Sequence, residues 1–478
     1  MRDLIRQKIS YLDATLSVLT ILSLAVFCQI LGFSLIIPIL LLFVGLHLFF
    51  VQKVEVRFFL QLGFLLTLLL TITNYVKEYT TVPVLYIPVA TVAMLTVLLY
   101  NDLSLAFLMS FLASVIFTLF IGADLNTMLI IFLGNLTAIY TVRDARTRGK
   151  VLWAGIYVSL VQVLAMLLQH HHLDFWVSHE YFFLQIRPLA LNGIIAALVV
   201  NATLKIFESW FGVLTNFSLL ELTDFNQPLL RRMVMEAPGT YQHSLVVSNI
   251  AEAAADAISA NALLARVGAY YHDIGKLNKP GYFVENQMIG RNKHDNIEPS
   301  ISRLVIQNHV KEGLELARKN KLSPIIQDFI VQHHGTSLMF YFYQKALEDS
   351  QENADVPEEN YRYPGPKPQS RETAIVLLAD SVEAATRSID EPNLVKIEEM
   401  VRKVINNKFI DGQLDECTLT LKEIELIAKT FTRVLCAMYH GRIRYPDKKN
   451  GLDYRNPKSP EDGGSQPPAA CPADPANS

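Results

Sequence analysis

The sequence predicts an all-α protein, in which a polytopic transmembrane helix bundle is followed by an all-helical cytosolic domain. Three observations support this fold class. Hydrophobic residues make up 51% of the 478 residues and mean hydropathy is +0.27, which is high for a purely soluble protein. Apolar residues run almost continuously through 14–208, whereas 209–445 show apolar spacings of three and four, typical of amphipathic helices. Residues 446–478 are rich in Pro, Gly, Asp and Ser and are predicted to be disordered.

The membrane half contains eight candidate spans. A spanning helix needs about 20 mostly apolar residues, with a lower limit of roughly 17. The segments that meet this requirement are 14–32, 35–52, 57–74, 84–100, 103–121, 125–142, 151–169 and 187–208, although 14–52 could be divided differently. The charged N-terminus lacks a small-residue cleavage site followed by polar sequence. It is therefore interpreted as a retained membrane anchor and not as a signal peptide.

Basic residues predict the orientation of the bundle. If the N-terminus is cytoplasmic, the inside segments contain Arg2, Arg6, Lys8, Lys53, Arg57, Arg143, Arg146, Arg148 and Lys150. The outside loops then contain only Lys77, with Arg187 at a helix edge. The positive-inside rule favours this orientation, and an even number of spans returns residue 209 to the cytoplasm. The prediction is a multi-pass protein of a bacterial inner membrane, embedded in the lipid bilayer, with a cytoplasmic C-terminal domain.

Several functional classes are disfavoured. The formal net charge of -3 gives no basic field that would attract a nucleic acid polymer. The four cysteines are scattered and form no CxxC pair, so neither a disulfide framework nor a cysteine zinc site is supported. His47 and the tract His170–His172 have no obvious ionisable partner in the spans, so a transporter is poorly supported. The tract is interpreted as an interfacial loop.

The soluble half is predicted to be helical throughout. Helices are expected within 226–261, 261–273, 298–320, 323–335, 370–388, 393–413 and 420–443. The segment 298–320 is expected to form about two helices. The segment 348–370 is polar and proline-rich and is expected to be a loop.

Histidine and aspartate residues form the main chemical signal of this half. A lone histidine on an apolar helix is usually structural, but here several unusual features coincide. Two pairs, His272–Asp273 and His333–His334, are adjacent in sequence, and His243 and His309 lie mid-helix in apolar surroundings. Asp380 interrupts the apolar run IVLLADSVEAA, where an unpaired carboxylate would be costly. Nitrogen and oxygen ligands without thiolate suit one or two ions of Fe, Mn or Zn.

These residues resemble the motif of a known superfamily. His243, the His272–Asp273 pair and Asp380 resemble the HD superfamily of metal-dependent phosphohydrolases, and His309 with His333–His334 resembles its two-metal branch. The stretches HDIGKLNKPGYFVENQ, NKHDNIEPSIS, HHGTSLMFYFYQKA and YRYPGPKPQSRETAIVLLADSVEAATRSI are similar to the seven-transmembrane HD family, bacterial cyclic-di-AMP phosphodiesterases of the PgpH type. The resemblance covers the soluble domain and, more loosely, the membrane half.

The resemblance implies a cyclic dinucleotide substrate and two divalent metal ions, Mn or Fe. One ion would be held by His243, His272, Asp273 and Asp380. The other would be held by Asp273, His309, His333 and His334, with Asp273 as a catalytic bridging ligand. The ions would activate a hydroxide that attacks the phosphodiester, so that cyclic-di-AMP yields linear pApA.

Three further residues are candidates for substrate binding. Lys276 follows Asp273 by three residues and His272 by four, a spacing that keeps helical side chains on one side. It is expected to stabilise charge on the phosphate or transition state, the alternative being an exposed lysine at a helix end. Arg387, two turns after Asp380, is a further phosphate-binding candidate. His294 is expected either at the rim of the site or in a loop cap.

Two features differ from related families. HD-GYP phosphodiesterases, which cleave cyclic-di-GMP, carry Gly-Tyr-Pro after the paired histidines, whereas HHGTSLMFYFYQ occurs here and favours cyclic-di-AMP. Full-length family members have a large extracellular sensor domain after their first helix. Here 14–32 and 35–52 are joined by a tight turn, which predicts that the sensor is absent. Two alternatives stay open: a membrane receptor that binds a nucleotide without cleaving it, and an HD hydrolase of another nucleotide such as cyclic-di-GMP. A homodimer also stays open.

Overall fold

The computed structural model describes residues 56–169, 182–287, 292–349 and 356–440. Within these ranges the secondary structure is helical, without β-strands, which confirms the predicted all-α class. The chain divides into two compact units, Met1–Ser218 and Leu219–Ser478.

The first unit contains six apolar helices among its described residues. They are α1 (Val56–Tyr79), α2 (Ala90–Tyr100), α3 (Leu103–Ile121), α4 (Leu125–Val142), α5 (Arg148–Gln169) and α6 (Arg187–Phe211). All except α2 are long and apolar enough to cross a membrane. The predicted spans 14–32 and 35–52, His47, the tract His170–His172 and the tail 446–478 lie outside the described residues.

Helix α2 is shorter than the predicted span 84–100. A 3-10 turn occupies Val84–Tyr86, and the α-helix begins only at Ala90. Pro88 lies at the break, where it provides no backbone N–H and disfavours helical geometry in the residue before it. The 11 residues of α2 rise about 16 Å, roughly half of the hydrocarbon thickness.

Asn192 of α6 compensates for this break. Its side-chain amide donates hydrogen bonds to the carbonyls of Leu85 and Ile87, at 2.9 and 2.7 Å. Backbone groups that are freed inside a membrane bundle need such partners because no water replaces them. The contact explains why the polar side chain of Asn192 is buried.

Short α7 is formed by Asn216–Leu222, and the described part of the second unit contains nine further helices. They are α8 (Pro228–Glu236), α9 (Pro238–Ala257), α10 (Ala262–Tyr271), α11 (Pro299–Lys319), α12 (Pro324–Gln332), α13 (Phe340–Asp349), α14 (Arg371–Thr386), α15 (Leu394–Ile410) and α16 (Leu421–His440). The segment 298–320 forms one helix, because no proline or cap interrupts its apolar spacing after Pro299. Helix α13 was not predicted.

Helix α14 lies at the centre of the second unit. Ser370 and Thr373 form a capping box at its N-terminus, and the residues from Ala374 to Ala379 are fully buried. Helices α9, α10, α15 and α16 contribute to the same apolar core. A carboxylate on α14, such as Asp380, is therefore held rigidly in the interior.

Candidate metal centre

The second unit brings the seven predicted metal ligands together from five elements. They are His243 on α9, His272 and Asp273 directly after α10, His309 on α11, His333 and His334 directly after α12, and Asp380 on α14. All are buried except His334, which is half-buried. The elements are far apart in sequence, so only the packing of the helices creates this cluster.

Asp273 lies between two groups of imidazoles. Its Oδ2 atom is 3.2 Å from Nε2 of His272 and 3.6 Å from Nε2 of His243. Its Oδ1 atom is 3.4 Å from Nε2 of His309 and 3.6 Å from Nε2 of His333. One carboxylate oxygen therefore faces each group, which is the geometry that a bridging ligand requires.

Two sets of ligand atoms are close enough to hold a metal ion. The first ligand group is His243, His272 and Asp273, and the second ligand group is His309, His333 and His334; within each, the ligand atoms lie within 4.8 Å of one another. Asp380 is next to both groups. Its Oδ1 atom is 3.1 Å from Nε2 of His243, and its Oδ2 atom is 3.6 Å from Nδ1 of His334.

The donor atoms are arranged for metal coordination and not for hydrogen bonding with one another. Nε2 of His243, Nε2 of His272 and Oδ1 of Asp273 are buried and form no hydrogen bond within the described part of the chain. Buried polar atoms without a partner are rare in native proteins and call for an explanation. Coordination of divalent cations by these atoms supplies one.

Backbone carbonyls orient three of the imidazoles. Nδ1 of His272, His309 and His333 each donates to the carbonyl three residues earlier in the chain. Nδ1 therefore carries a proton in these rings, and Nε2 is the ring nitrogen that faces the centre. Ligand histidines in metal sites are commonly fixed in this way through their other ring nitrogen.

A glutamate that the sequence analysis missed orients His243. Nδ1 of His243 donates to Oε2 of Glu383 at 2.7 Å, and both side chains are buried. Glu383 lies three residues after Asp380 on α14, so it occupies the same helical face. That spacing was the available signal in the sequence.

Arg387, a predicted phosphate-binding candidate, contacts this glutamate. Its Nε atom donates to Oε1 of Glu383 at 2.6 Å, and its side chain is 41% exposed. The structure thus places Arg387 beside the support of His243 and outside both ligand groups.

Lys276 is buried among the ligands. Helix α10 ends before it, and the residue lies in a 3-10 turn, Ile274–Asn278. Its Nζ atom is 2.8 Å from Oδ2 of Asp273 and 2.8 Å from Oε1 of Glu285. The side chain is only 13% exposed, so the alternative of a solvent-exposed lysine is wrong. Glu285 was missed, because irregular turns connect it to Lys276 and no helical spacing indicates the contact.

His294 lies apart from both ligand groups. It is buried in a 3-10 turn, Lys293–Asn296, where its Nε2 atom donates to the carbonyl of Tyr282 at 2.8 Å. Its ring also makes edge contacts with the rings of Tyr282 and Phe342. These contacts hold the turn together; a substrate-binding role stays a prediction.

Comparison with known proteins identifies the family of the chain. Residues 28–215 match the family described as 7TM receptor with intracellular HD hydrolase, and residues 240–385 match the HD domain family. The chain belongs to this seven-transmembrane HD family. Every predicted ligand lies within its HD domain.

Two curated relatives are similar over most of this seven-transmembrane HD chain. The cyclic-di-AMP phosphodiesterase PgpH of Listeria monocytogenes serotype 1/2a (strain 10403S) is 42% identical over 371 residues, which cover 76% of this chain and 50% of the relative. The protein of the same name from Bacillus subtilis (strain 168) is 38% identical over 418 residues, covering 83% and 57%. The chain spans about half the length of these relatives.

Solved structures are also similar to the HD domain. Two crystal structures of the L. monocytogenes PgpH HD domain, one of them in complex with cyclic-di-AMP, are 50% identical to this chain. Each covers 45% of this chain and is itself covered completely, with TM-scores of 0.43 and 0.44.

The predicted ligands of the HD domain differ in how their surroundings shift the pKa of the side chain. Burial opposes ionisation of Asp273, but Lys276 and His272 hold the pKa of that carboxyl well below its usual range. Burial likewise lowers the pKa of His309 to about 4. For His272 burial also acts downward, but Asp273 and Asp380 outweigh it and raise the pKa to about 10. At neutral pH His309 is therefore ready to bind a cation, whereas His272 must first release a proton.

Proposed function

We propose that this chain is a membrane-bound phosphodiesterase that hydrolyses cyclic-di-AMP to linear pApA with the help of two divalent cations. The observation that carries this proposal is Asp273, whose two oxygens face separate histidine groups. The substrate is proposed from the two curated relatives, both named cyclic-di-AMP phosphodiesterases. Because the chain spans about half of their length, the activity needs its own test.

The proposed ligands follow from the distances. The first cation would be held by His243, His272, Asp273 and Asp380, and the second by Asp273, His309, His333 and His334. Two cations about 3.5–4 Å apart can lower the pKa of a water molecule and neutralise charge on phosphoryl oxygens. Manganese or iron suits this nitrogen and oxygen donor set.

The reaction consumes one water molecule for each bond that is cleaved. The water oxygen adds to one phosphorus atom, the P–O3′ bond breaks, and the departing ribose oxygen takes up a proton. The product pApA therefore keeps a terminal 5′-phosphate. The chain contributes by positioning: Glu383 fixes the ring of His243, and Lys276 keeps Asp273 ionised between the two groups.

Cytoplasmic placement of the HD domain is part of the proposal. It is supported by the excess of Lys and Arg in alternate loops of the membrane half. Protease treatment of intact spheroplasts and of inverted vesicles tests it. Protection of the HD domain in spheroplasts and cleavage in inverted vesicles is expected; the opposite pattern would refute this orientation.

The activity is tested with the purified full chain in detergent, loaded with Mn²⁺ and given cyclic-di-AMP. Chromatography should show pApA, and the Asp273→Ala variant should form none at the same protein concentration. Metal content is measured on the same preparation. Absence of pApA from wild-type protein that contains two metal ions per chain would refute the proposal.

Two alternatives are resolved by the same preparation. Tight binding of cyclic-di-AMP without turnover would indicate a receptor. Competition by excess cyclic-di-GMP, together with faster hydrolysis of that nucleotide, would indicate a different substrate.

A further inference from the structure

Lys408, in the last turn of α15, is a half-buried cation that lacks a carboxylate partner. Its Nζ atom donates to Oγ of Ser337 at 2.7 Å. Among the described residues, no aspartate or glutamate oxygen forms an ion pair with it within 4.0 Å. Ser337 follows His334 by only three residues, so Lys408 is hydrogen-bonded to the segment that carries His333 and His334 of the second ligand group.

Three other cations of the second unit are paired with carboxylates. Lys276 contacts Asp273 and Glu285, Arg362 contacts Glu358 and Asp411, and Arg387 contacts Glu383. A cation that already has a carboxylate partner gains less from an incoming anion than one that has none. Lys408 therefore has the greater capacity to bind a negatively charged ligand.

The contacts of Ser337 place Lys408 beside the metal centre. The carbonyl of Ser337 accepts a hydrogen bond from the backbone N–H of Tyr363 at 3.0 Å. The ring of Tyr363 stacks on the imidazole of His334, with 4.2 Å between ring centroids. A continuous series of contacts thus runs from Lys408 through Ser337 and Tyr363 to His334 of the second ligand group.

The electrostatic environment of Lys408 favours an anionic ligand. Burial and, to a smaller extent, the charge of Arg362 lower the pKa of this ammonium and outweigh the opposing effect of Asp380 and Asp411. A buried charge is normally compensated by a partner, and in this site the nearby carboxylates compensate it only in part. A substrate phosphate would complete the compensation.

We propose that Lys408 binds a non-bridging phosphate oxygen of the cyclic dinucleotide, with Ser337 holding the ammonium in place. The inference rests on the proposed function and extends it with a substrate-binding residue that sequence analysis did not indicate. An ammonium contributes as a point charge with three donors, which suits a phosphodiester anion. The competing explanation is that Lys408 only stabilises the C-terminal carbonyls of α15 through the helix dipole.

The test compares three variants of the full chain. Lys408→Met removes the charge, Lys408→Gln removes the charge but keeps a donor for Ser337, and Lys408→Arg keeps the charge. Lys403→Met is the matched control, because Lys403 is exposed on the same helix. With Mn²⁺ and cyclic-di-AMP, we expect kcat/KM to fall by about 10- to 100-fold in the Met and Gln variants, mainly through KM. In Lys403→Met and Lys408→Arg, kcat/KM should stay within about threefold of the wild-type value, because neither variant loses a hydrogen bond from a charged group to the substrate.

The preference of the protein for a charged phosphate distinguishes a substrate-binding role of Lys408 from a structural one. A cyclic-di-AMP analogue with one neutral methylphosphonate linkage is used as a competitive inhibitor. Wild-type protein should bind this analogue about tenfold or more weakly than the doubly charged dinucleotide, as expected for the loss of one charged hydrogen bond. In Lys408→Gln that preference should largely disappear. A structural role would instead lower the melting temperature and leave the preference unchanged.

The outcomes distinguish this inference from the proposed function. Failure of wild-type protein to hydrolyse cyclic-di-AMP would refute the phosphodiesterase, and the role of Lys408 would then be read from equilibrium binding of cyclic-di-AMP. Unchanged kcat/KM and unchanged charge preference in Lys408→Gln would refute the role of Lys408 alone. If Lys408→Met does not fold, the Gln and Arg variants decide, because they differ chiefly in charge.

Discussion

Replacement of Glu383 tests whether the metal centre depends on a residue that is not itself a ligand. Glu383 accepts a hydrogen bond from Nδ1 of His243 at 2.7 Å, and both side chains are buried. Glu383→Gln keeps the shape of the side chain but removes its charge. Glu383→Ala removes the acceptor and frees the ring of His243.

The expected loss of metal affinity follows from the type of hydrogen bond that each variant removes. A hydrogen bond to a charged group contributes about 1.5–3 kcal/mol, and a neutral one about 1 kcal/mol. At 1.4 kcal/mol per tenfold change, Glu383→Ala should weaken metal binding at the first ligand group by about 10- to 100-fold. Glu383→Gln should weaken it by roughly fivefold, since the amide oxygen still accepts a neutral hydrogen bond. The second ligand group should keep its affinity, because backbone carbonyls orient His309 and His333.

Metal content after dialysis against graded Mn²⁺ concentrations measures this effect. Glu383→Ala protein should fall from two ions per chain to one before wild-type protein does, and its hydrolysis of cyclic-di-AMP should fall in parallel. Arg387→Ala is the matched control, since this arginine contacts the other oxygen of Glu383 from an exposed position and should cost less than about fivefold. Wild-type affinity and turnover in folded Glu383→Ala would refute the reasoning.

Three further predictions concern stability and pH. Gly275→Ala would place a methyl group 1.8 Å from the carbonyl of His309 and should destabilise the protein by about 1–3 kcal/mol in thermal unfolding. Gly149→Ala is the control, because the space around Gly149 is open and the added methyl group should not destabilise the protein. Equal losses of stability in the two variants would contradict the prediction. In metal-free protein, the raised pKa of His272, about 10 against 6.5 when unfolded, contributes stability that is complete below pH 6.5 and lost as pH rises through 10. The melting temperature should therefore decline more steeply over that interval in wild type than in His272→Gln, and parallel curves would argue against it. Asn192→Ala removes the side-chain donor to the carbonyls of Leu85 and Ile87, of which only Ile87 also accepts from a backbone N–H outside the helices, that of Val89. The substitution should cost about 1–3 kcal/mol in denaturation of the detergent-solubilised chain, and an unchanged stability would indicate that other donors replace Asn192.

Residue chemistry made the ligand set predictable. Asp380 interrupts an apolar run, and the histidine pair His333–His334 follows an apolar helix. Polar side chains in such places are costly unless they have a partner in the fold. The long helices were equally predictable from their apolar spacing, although Pro88 shortened one of them. Both predictions rest on strong local penalties that the sequence displays directly.

Contacts between distant or irregular segments could not be predicted in the same way. Glu285 reaches Lys276 across successive 3-10 turns, which have no periodic pattern to indicate side-chain direction. Lys408 and Ser337 are 71 residues apart, and their contact depends on how α15 packs. Glu383 is intermediate, because its spacing from Asp380 indicates a shared face but not the identity of its partner.

Backbone packing, and not the ligands alone, sets the separation of the two ligand groups. Gly275 lies two residues after Asp273, and a Cβ atom there would meet the carbonyl of His309 at 1.8 Å and the backbone of Gly313 at 2.6 Å. The turn that follows Asp273 therefore rests directly on α11. With any larger residue the turn would have to move away from α11, and Oδ1 of Asp273 would move away from Nε2 of His309. The glycine of the HDIGK stretch thus permits one carboxylate to reach both groups, which no property of the ligand side chains could achieve.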